Sequence, residues 1–244
     1  MAQNTSTAVM ERRAGANVEG DDAQRALWRK LDYFPTPPWA ARAVAKVIED
    51  IELSKRDWHI SMQTAWEPAC GEGHIAEPLR EYFAHVDASD IHPYGHGDIL
   101  DFLKCSNGYM DSVDWVVTNP PFLKAAEFVE RGLEIARRGV AVLCRMAFLE
   151  SAARYELLHG PKSRLAYVCP FIERVPMQLG SWDPELSSAT AYAWFIFDKR
   201  QFFGGRWQGR AIPPGTKARL TRPDDVRRFA RKPELPLLPE GENA

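Results

Sequence analysis

The chain has 244 residues, of which 45% are hydrophobic and 26% charged, and its formal net charge is −2. These totals are typical of one soluble domain of ordinary size, and no apolar run approaches the roughly 20 residues that span a bilayer. Four separate cysteines without a C-x-x-C pair argue against a zinc site and a disulfide framework, so we expect buried, reduced thiols and no metal.

The N-terminal part of the chain is polar. Residues 1–25 lack the apolar core of a signal peptide, which predicts a disordered segment and a cytoplasmic protein that does not bind membranes. The stretch YFPTPPW (33–39) predicts a loop stiffened by proline. It leads into residues 40–51, where apolar side chains recur at helical spacing.

Strand-like and helix-like stretches alternate along the middle of the chain. The strand-like stretches are residues 64–69, 85–90, 113–119, 140–146, 163–170 and 191–198. The helix-like stretches between them are residues 75–84, 125–139 and 151–160. This alternation predicts an α/β fold with a mostly parallel sheet and helices on both faces. Because no helix separates the last two strands, we expect them to pair antiparallel at an edge.

The C-terminal part is basic. From Lys199 to Lys232 there are eleven lysines and arginines against two acids, Asp224 and Asp225. A basic segment on an otherwise acidic body is a candidate surface for phosphate contacts. The alternative is a solvated tail.

The first predicted strand ends in an acid and a glycine loop. In EPACGEG, Glu67 is followed by Gly71, Gly73 and a helix-like stretch. Glycines permit a tight turn and a close approach of the backbone to a ligand, but the third glycine of the dinucleotide fingerprint is missing. An acid here would repel a pyrophosphate and suits a ligand with a cationic amino-acid end.

Two further acids follow in order. Asp90, with Ile91 after it, ends the second strand, where a carboxylate can accept hydrogen bonds from ribose hydroxyls. Asp98, followed by the apolar Ile99, suits the exocyclic amine and the ring of a purine. Taken singly, each acid is more simply explained as an ordinary loop acid or a helix N-cap. Their order after successive strands favours a ligand site.

The third strand runs into Asn119, Pro120, Pro121 and Phe122. The Asn119 side-chain carbonyl and the Pro120 backbone carbonyl can each accept one N–H of a planar amine and aim its lone pair at a methyl donor. Proline fixes the backbone and offers no competing N–H. The Phe122 ring offers a face on which an extruded base can stack. The alternative is a simple Asn-Pro turn that closes the strand.

The order of PTPPW, EPACGEG, SDI, GDILDF and NPPF resembles the S-adenosylmethionine-dependent amino methyltransferases of the N6-adenine DNA type. The motifs cover residues 33–125, and the strand pattern extends the resemblance to residue 198. The resemblance implies a Rossmann-like class I methyltransferase fold, with a seven-stranded, mostly parallel sheet and one antiparallel edge strand. Residues 26–200 would form this domain, between the disordered segment 1–25 and a basic tail, 201–244.

The resemblance also implies roles for individual residues. Asn119, Pro120, Pro121 and Phe122 would form the catalytic turn. S-adenosylmethionine would be bound by Thr36, Pro37, Glu67, Pro68, Ala69, Gly71, Gly73, Asp90, Ile91, Asp98, Ile99 and Asn119. The acids would have distinct partners: the methionine end for Glu67, the ribose for Asp90 and the adenine for Asp98.

The loop 170–190 joins the last two predicted strands beside the catalytic turn. Within it, Phe171, Arg174, Met177 and Trp182 are candidates to line the base pocket or to wedge into a base stack. The alternative is a loop that packs on itself. Trp194 and Phe195 lie in a strand-like run and predict core positions.

The chain has no large recognition region after the catalytic turn or at the C-terminus. We therefore expect a relaxed or very short sequence preference in DNA, or specificity supplied by a partner subunit or a second copy of the chain. Other readings stay open: an RNA adenine or guanine amino methyltransferase, a protein glutamine N5-methyltransferase, or a non-catalytic nucleic-acid-binding module. The basic segment favours nucleic acid over protein.

Overall fold

The computed structural model of the chain describes residues 22–56, 58–201 and 203–230. The helices are α1 (Asp22–Leu31), α2 (Pro38–Ser54), α3 (Ala76–Leu79), α4 (Ala125–Ile135), α5 (Tyr155–Leu158), α6 (Thr216–Leu220) and α7 (Asp225–Phe229). The strands are β1 (Thr64–Glu67), β2 (His85–Asp90), β3 (Asp98–Ile99), β4 (Val113–Thr118), β5 (Ala136–Arg145), β6 (Leu165–Pro170), β7 (Tyr192–Asp198) and β8 (Gln208–Gly209). Within these residues, no helix is long and apolar enough to cross a membrane.

The strands form one sheet in the order β3-β2-β1-β4-β5-β7-β6-β8. β7 runs antiparallel to both of its neighbours, and the other neighbouring pairs are parallel. The predicted antiparallel pairing of the last two long strands is confirmed. Its placement at the edge is wrong, because β7 inserts between β5 and β6. All seven β7 residues are buried, as expected for an interior strand that is apolar throughout.

The sheet has eight strands in the described residues, where we expected seven. β3 and β8 have two residues each, and a segment of this length carries no sequence periodicity. β8 lies in the predicted basic tail and pairs in parallel with β6.

Helices cover both faces of the sheet, as predicted. Alternate residues of β4 point to opposite faces, so Trp115 and Val117 belong to one core and Val116 to the other. α2 contributes Trp39 and Ile48 to the first core. α4 contributes apolar residues, among them Phe128 and Val129, to the second. The fold is therefore a three-layer α/β/α domain.

All three helices predicted between the strands are shorter in the structure, and the third, predicted over residues 151–160, is α5 (Tyr155–Leu158). α3 spans Ala76–Leu79 in place of residues 75–84. α4 ends at Ile135, and β5 begins at Ala136, four residues before the predicted start. Pairing with β4 and β7 extends β5 backwards, and Gly139 permits it: a Cβ there would lie 2.2 Å from the Phe197 carbonyl oxygen. Tertiary pairing overrides helical spacing here.

Both predicted terminal segments contribute to the fold. Residues 22–25, placed in the disordered segment, begin α1; residues 1–21 lie outside the described residues. At the C-terminus, α6 and α7 pack on the body. The buried Arg42 guanidinium in α2 donates to both Asp225 oxygens, at 2.7 and 2.9 Å, and to Glu81. Residues 208–229 are therefore integral to the fold and not a free tail.

Candidate active site

A cavity of about 330 Å³ lies at the carboxyl ends of β1, β2 and β4. This volume falls within the range of cofactor sites. The predicted site residues that line it are Thr36, Glu67, Pro68, Ala69, Asp90, Ile91, Asn119 and Pro121. Those not among its lining residues in the described chain are Pro37, Gly71, Gly73, Asp98, Ile99, Pro120, Phe122, Phe171, Arg174 and Trp182.

The glycine loop supports the cavity from behind its lining. Gly71 and Gly73 both have positive φ, +51° and +85°. A Cβ at Gly71 would lie 2.6 Å from the Tyr33 ring, and one at Gly73 would lie 2.6 Å from the His96 ring. The loop therefore requires glycine for conformation and for space.

Glu67 is a buried carboxyl at the end of β1 and lines the cavity. Neither of its oxygens has a hydrogen-bond partner in the described chain. Burial raises the pKa of the Glu67 carboxyl well above its usual range; the Thr118 side chain and the Ala69 and Asn119 backbone oppose this shift, and the nearby charge of Asp90 adds to it. A bound cation would supply the missing counter-charge and favour the ionised form.

Asp90 holds the glycine loop and also faces the cavity. Its Oδ2 accepts from the Gly71 N–H and its Oδ1 from the His92 N–H, both at 2.9 Å. Burial raises the pKa of Asp90, opposed by these backbone hydrogen bonds. Each carboxylate oxygen keeps further lone pairs, so hydroxyl groups of a ligand can still donate to Asp90.

The predicted purine contacts, Asp98 and Ile99, lie outside the cavity. They form β3 and are exposed, whereas Leu100, Asp101 and Phe102 line the cavity. The reason is register. Ile99 pairs with Asp90, so the chain reaches the cavity only beyond the strand. Asp101 and Phe102 thus provide the carboxylate and the apolar wall that we had assigned to Asp98 and Ile99.

Asn119 has a fixed orientation at the mouth of the cavity. Its Nδ2 donates to the Phe34 carbonyl oxygen at 2.8 Å. The opposite atom, Oδ1, is buried and has no hydrogen-bond partner in the described chain. A buried acceptor without a donor costs about 1–3 kcal/mol and is expected mainly where function requires it. The structure therefore presents one unsatisfied acceptor beside the cavity.

The aromatic end of the turn lies among other rings. Phe122 packs against Phe34 at 5.7 Å and Tyr192 at 6.3 Å between ring centroids. The Arg145 guanidinium lies 5.2 Å from the centre of the Phe122 ring. Pro121 lines the cavity, while the adjacent Pro120 is buried and is not among the lining residues. The turn thus joins the cavity to an aromatic cluster at its rim.

Residues 30–36, hereafter the covering segment, line the cavity between α1 and α2. Tyr33 stacks on Tyr94 with ring centroids 4.6 Å apart. The Tyr33 carbonyl oxygen accepts from the Gly180 N–H at 2.9 Å. The buried Thr36 hydroxyl has no hydrogen-bond partner in the described part of the chain. The covering segment therefore supplies aromatic and polar groups to the site.

The loop 170–190 supports this segment, and its large residues are not free to reach a base. Phe171 is 8% exposed and packs edge-on against Trp39, while Met177 and Trp182 are 1% and 2% exposed. Their placement as wedges is wrong for this structure, because stacking a base on them would first require unpacking the core. Arg174 is exposed and stays a candidate for substrate contact.

Most of the described basic segment is paired with acids of the body. Ion pairs join Lys199 to Asp111, Arg200 to Glu52, Arg210 to Asp50, Arg222 to Glu81 and Arg228 to Glu77, whereas Arg227 pairs with Asp224 inside the segment. Arg231 and Lys232 lie outside the described residues. The pairs bind the segment to the fold, so the segment alone does not argue for phosphate contacts.

Several cavity residues escaped the sequence analysis. Tyr33 is the first residue of the quoted stretch YFPTPPW, and its aromatic type was the available signal. Asp101 and Phe102 lie within the quoted GDILDF stretch. His74, Lys30 and Lys124 had no local signal, because tertiary packing alone brings them to the cavity.

No family model matches the chain, and no curated protein matches it. The fold is similar to a protein assigned as a modification subunit of a type I restriction enzyme from Vibrio vulnificus YJ016, with TM-score 0.50, 15% identity, and coverage of 87% of this chain and 58% of that one. It is also similar to a chain of the DrdV–DNA complex, with TM-score 0.51, 10% identity, and coverage of 79% and 29%.

A third similar structure is assigned as an RNA methyltransferase from Pyrococcus horikoshii, with TM-score 0.49, 15% identity, and coverage of 80% of this chain and 98% of that chain. The chain spans little more than half of the Vibrio subunit and under a third of the DrdV chain. At these identities the likeness to the Vibrio subunit and the DrdV chain concerns architecture, and it shows that the chain has their Rossmann-like α/β fold.

Proposed function

We propose that the chain is an S-adenosylmethionine-dependent methyltransferase that methylates the exocyclic N6 amine of adenine in DNA. The observation that carries this proposal is the Asn119 side chain. Its amide nitrogen is tied to the Phe34 carbonyl, and its Oδ1 is left as a buried acceptor without a donor. An amine hydrogen would satisfy it.

The cavity residues fit the cofactor. Gly71 leaves room for the Tyr33 ring that lines the cavity, and Glu67 lacks the counter-charge that a cationic ligand would bring. Asp90 would hold the ribose hydroxyls, while Asp101 and Phe102 would contact the adenine. When bound, S-adenosylmethionine supplies an electrophilic methyl group. The residues present on the cavity wall thus match both the charged and the apolar parts of the cofactor.

The catalytic turn would act chiefly by positioning. Asn119 Oδ1 and the Pro120 carbonyl oxygen would each accept one N–H of the target amine, so that its lone pair points at the methyl carbon. S-adenosylmethionine, held by Glu67, Asp90 and Asp101, would supply the methyl group to the amine and would take back the electron pair of the C–S bond. The two carbonyls would stabilise the positive charge that develops on nitrogen, which then loses one proton to water.

The target base must leave the double helix to reach this turn. An enzyme with this geometry extrudes the base or acts on single strands. The half-buried Phe122 ring, which packs on the buried Phe34 behind it, would stack against the base, a contact worth about 1–3 kcal/mol per base. This supports a planar aromatic substrate over the flexible side-chain amide of a protein glutamine.

The choice of DNA rests on the likeness to two solved structures. One is assigned as a restriction-modification subunit, and the other is a complex with DNA. The chain covers 58% and 29% of those proteins, so we propose the methyl-transfer activity without their other functions. A relaxed or short sequence preference, or specificity from a partner, remains part of the proposal.

The first test separates cofactor binding from methyl transfer. Asn119→Ala removes the unsatisfied acceptor, and we expect turnover to fall about 10²–10³-fold, the usual cost of losing one such group. Calorimetric affinity for S-adenosylmethionine should change little. Asn107→Ala, a control at an exposed residue that does not line the cavity, should keep wild-type turnover. Full turnover by Asn119→Ala would contradict the proposal.

The second test identifies the substrate class. The protein is given tritiated S-adenosylmethionine with unmethylated DNA, total RNA or cell protein, and labelled material is digested to nucleosides or amino acids. We expect label in N6-methyladenine from DNA. Label only in RNA or only in protein would replace DNA by that substrate, and cofactor binding without label would indicate a non-catalytic module.

A further inference from the structure

The Asn-Pro-Pro-Phe turn has few ways to be held in place. Pro120 and Pro121 have no N–H, so after Asn119 the first backbone donor is that of Phe122. This N–H donates to Oδ2 of Asp32 at 2.8 Å. The two residues are 90 positions apart, so the contact depends on the covering segment lying over the turn.

Asp32 makes this contact from an unusual backbone conformation. Its φ of +54° lies in the left-handed region, which glycine, asparagine and aspartate occupy more readily than other residues. The conformation ends α1, and the next residue, Tyr33, donates its N–H to the Trp28 carbonyl oxygen at 2.9 Å. The end of α1 thus fixes the direction in which the Asp32 carboxylate points.

The covering segment also holds the other end of the turn. Two residues after Asp32, the Phe34 carbonyl oxygen accepts from Asn119 Nδ2 at 2.8 Å. One contact therefore orients the Asn119 amide, and the other anchors Phe122. Between them lie two prolines whose φ is fixed. Together the two contacts set the position of Oδ1 relative to the cavity.

We propose that Asp32 is a positioning residue for methyl transfer: its carboxylate holds the Phe122 N–H and thereby the Asn-Pro-Pro-Phe turn in its reactive geometry. This inference rests on the proposed function. Asp32 acts through the turn and touches no reacting atom. Because a misplacement of about 1 Å can cost roughly 100-fold in rate, one anchoring hydrogen bond can control turnover without controlling cofactor affinity.

The experiment separates the hydrogen bond from the backbone conformation. Asp32→Gly removes the carboxylate and tolerates positive φ, whereas Asp32→Asn keeps a side-chain oxygen that can accept the same N–H and also tolerates positive φ. The matched control is Asp111→Gly. Asp111 is also an aspartate at positive φ, +52°, but it is exposed and precedes the amino end of β4, whereas the cavity lies at the carboxyl end.

We expect Asp32→Gly to lower kcat about 10–100-fold while the Kd for S-adenosylmethionine changes less than about threefold. Asp32→Asn should restore kcat to within about threefold of wild type, and Asp111→Gly should match wild type. Wild-type kcat in Asp32→Gly would overturn the proposal. So would a parallel loss of cofactor affinity, which would indicate a role in cofactor binding, or an Asp32→Asn variant as slow as Asp32→Gly, which would indicate a role for the charge.

A second measurement does not need a substrate. Hydrogen exchange of the Phe122 amide should be faster in Asp32→Gly than in wild type or Asp32→Asn. Unchanged exchange would overturn the proposed anchor. If the wild-type protein methylates nothing while exchange still depends on the Asp32 acceptor, the proposed function fails and the anchor on the turn stands. The two failures are therefore distinguishable.

Discussion

Carboxyl groups are buried at both ends of the parallel strands, but their surroundings differ. At the carboxyl ends of the strands, Glu67 is fully buried and has no hydrogen-bond partner in the described chain. At the amino ends of the parallel strands, Glu52 and Asp198 are equally buried, but both have cationic partners. Arg200 pairs with both acids, Arg138 pairs with Glu52, and Lys55 pairs with Asp198.

This difference indicates that the carboxyls at the amino ends of the strands stabilise the fold, whereas Glu67 at the carboxyl ends serves binding. A buried charge with matched donors can be tolerated, whereas one without them is costly. Burial alone would raise the pKa of Asp198, but hydrogen bonds from Arg200 and Lys55 hold it below its usual range. The pKa of Glu67 shifts the other way. Five residues with unpaired buried polar atoms line the cavity, namely Tyr33, Thr36, Glu67, His74 and Asn119, and the raised pKa of Glu67 among them favours a ligand site.

We expect the largest change in stability from removing the ion pairs at the amino ends of the strands. Arg200→Ala would leave Glu52 and Asp198 with fewer donors, and we expect the free energy of unfolding in urea at pH 7 to fall by about 3 kcal/mol. Arg227→Ala, which removes an exposed pair with Asp224, is the control and should change stability by less than about 1 kcal/mol. If both substitutions lowered the free energy of unfolding equally, the buried pairs of Arg200 would be no more important for stability than an exposed pair.

A second effect, of about 2 kcal/mol, comes from His74. Burial lowers the pKa of His74 to about 4, and its Nε2 contacts the Phe229 carbonyl oxygen at 2.9 Å. Because the unfolded chain binds a proton near pH 6.5 and the folded one does not, stability falls as the pH drops from 7 to 5. His74→Asn should lose about 2 kcal/mol less over this range in urea unfolding. An identical pH dependence would refute the assignment.

The sequence predicted the main strands and the residues at their ends, because apolar runs, glycines and prolines act locally. The parallel sheet, the helices on both faces and the positions of Glu67, Asp90 and Asn119 follow from such signals. The insertion of β7 between β5 and β6 did not, since it depends on which strand edges meet. The same holds for β5, whose first four residues were predicted as helix.

The errors in the site have a similar origin. Asp98 and Asp101 are both acids near apolar residues, and only the pairing of Ile99 with Asp90 decides which acid reaches the cavity. Phe171 and Trp182 belong to a loop whose composition suits a surface, yet the loop packs under the covering segment. Asp32 carried no motif, because its partner Phe122 is distant in sequence.

We expect the smallest change in stability from Glu67, at the carboxyl end of β1, and this change should be an increase. Glu67→Gln keeps the shape and removes the charge. Because the pKa of Glu67 is raised in the fold, its ionisation favours the unfolded chain above about pH 4.5, so the variant should become the more stable protein as the pH rises. Urea unfolding should show a gap that widens by roughly 1 kcal/mol between pH 5 and pH 6.

The same substitution should weaken ligand binding, and this effect would distinguish Glu67 from the paired carboxyls Glu52 and Asp198. If Glu67 receives a cationic ligand, affinity for S-adenosylmethionine should rise with pH in the wild type, as the carboxyl loses its proton, and should be lower and less pH-dependent in Glu67→Gln. Calorimetry at pH 5 and pH 7 measures both. A variant that is less stable than wild type, or that binds as tightly at pH 7, would show that Glu67 is a structural carboxyl like Glu52, whose burial serves the fold alone.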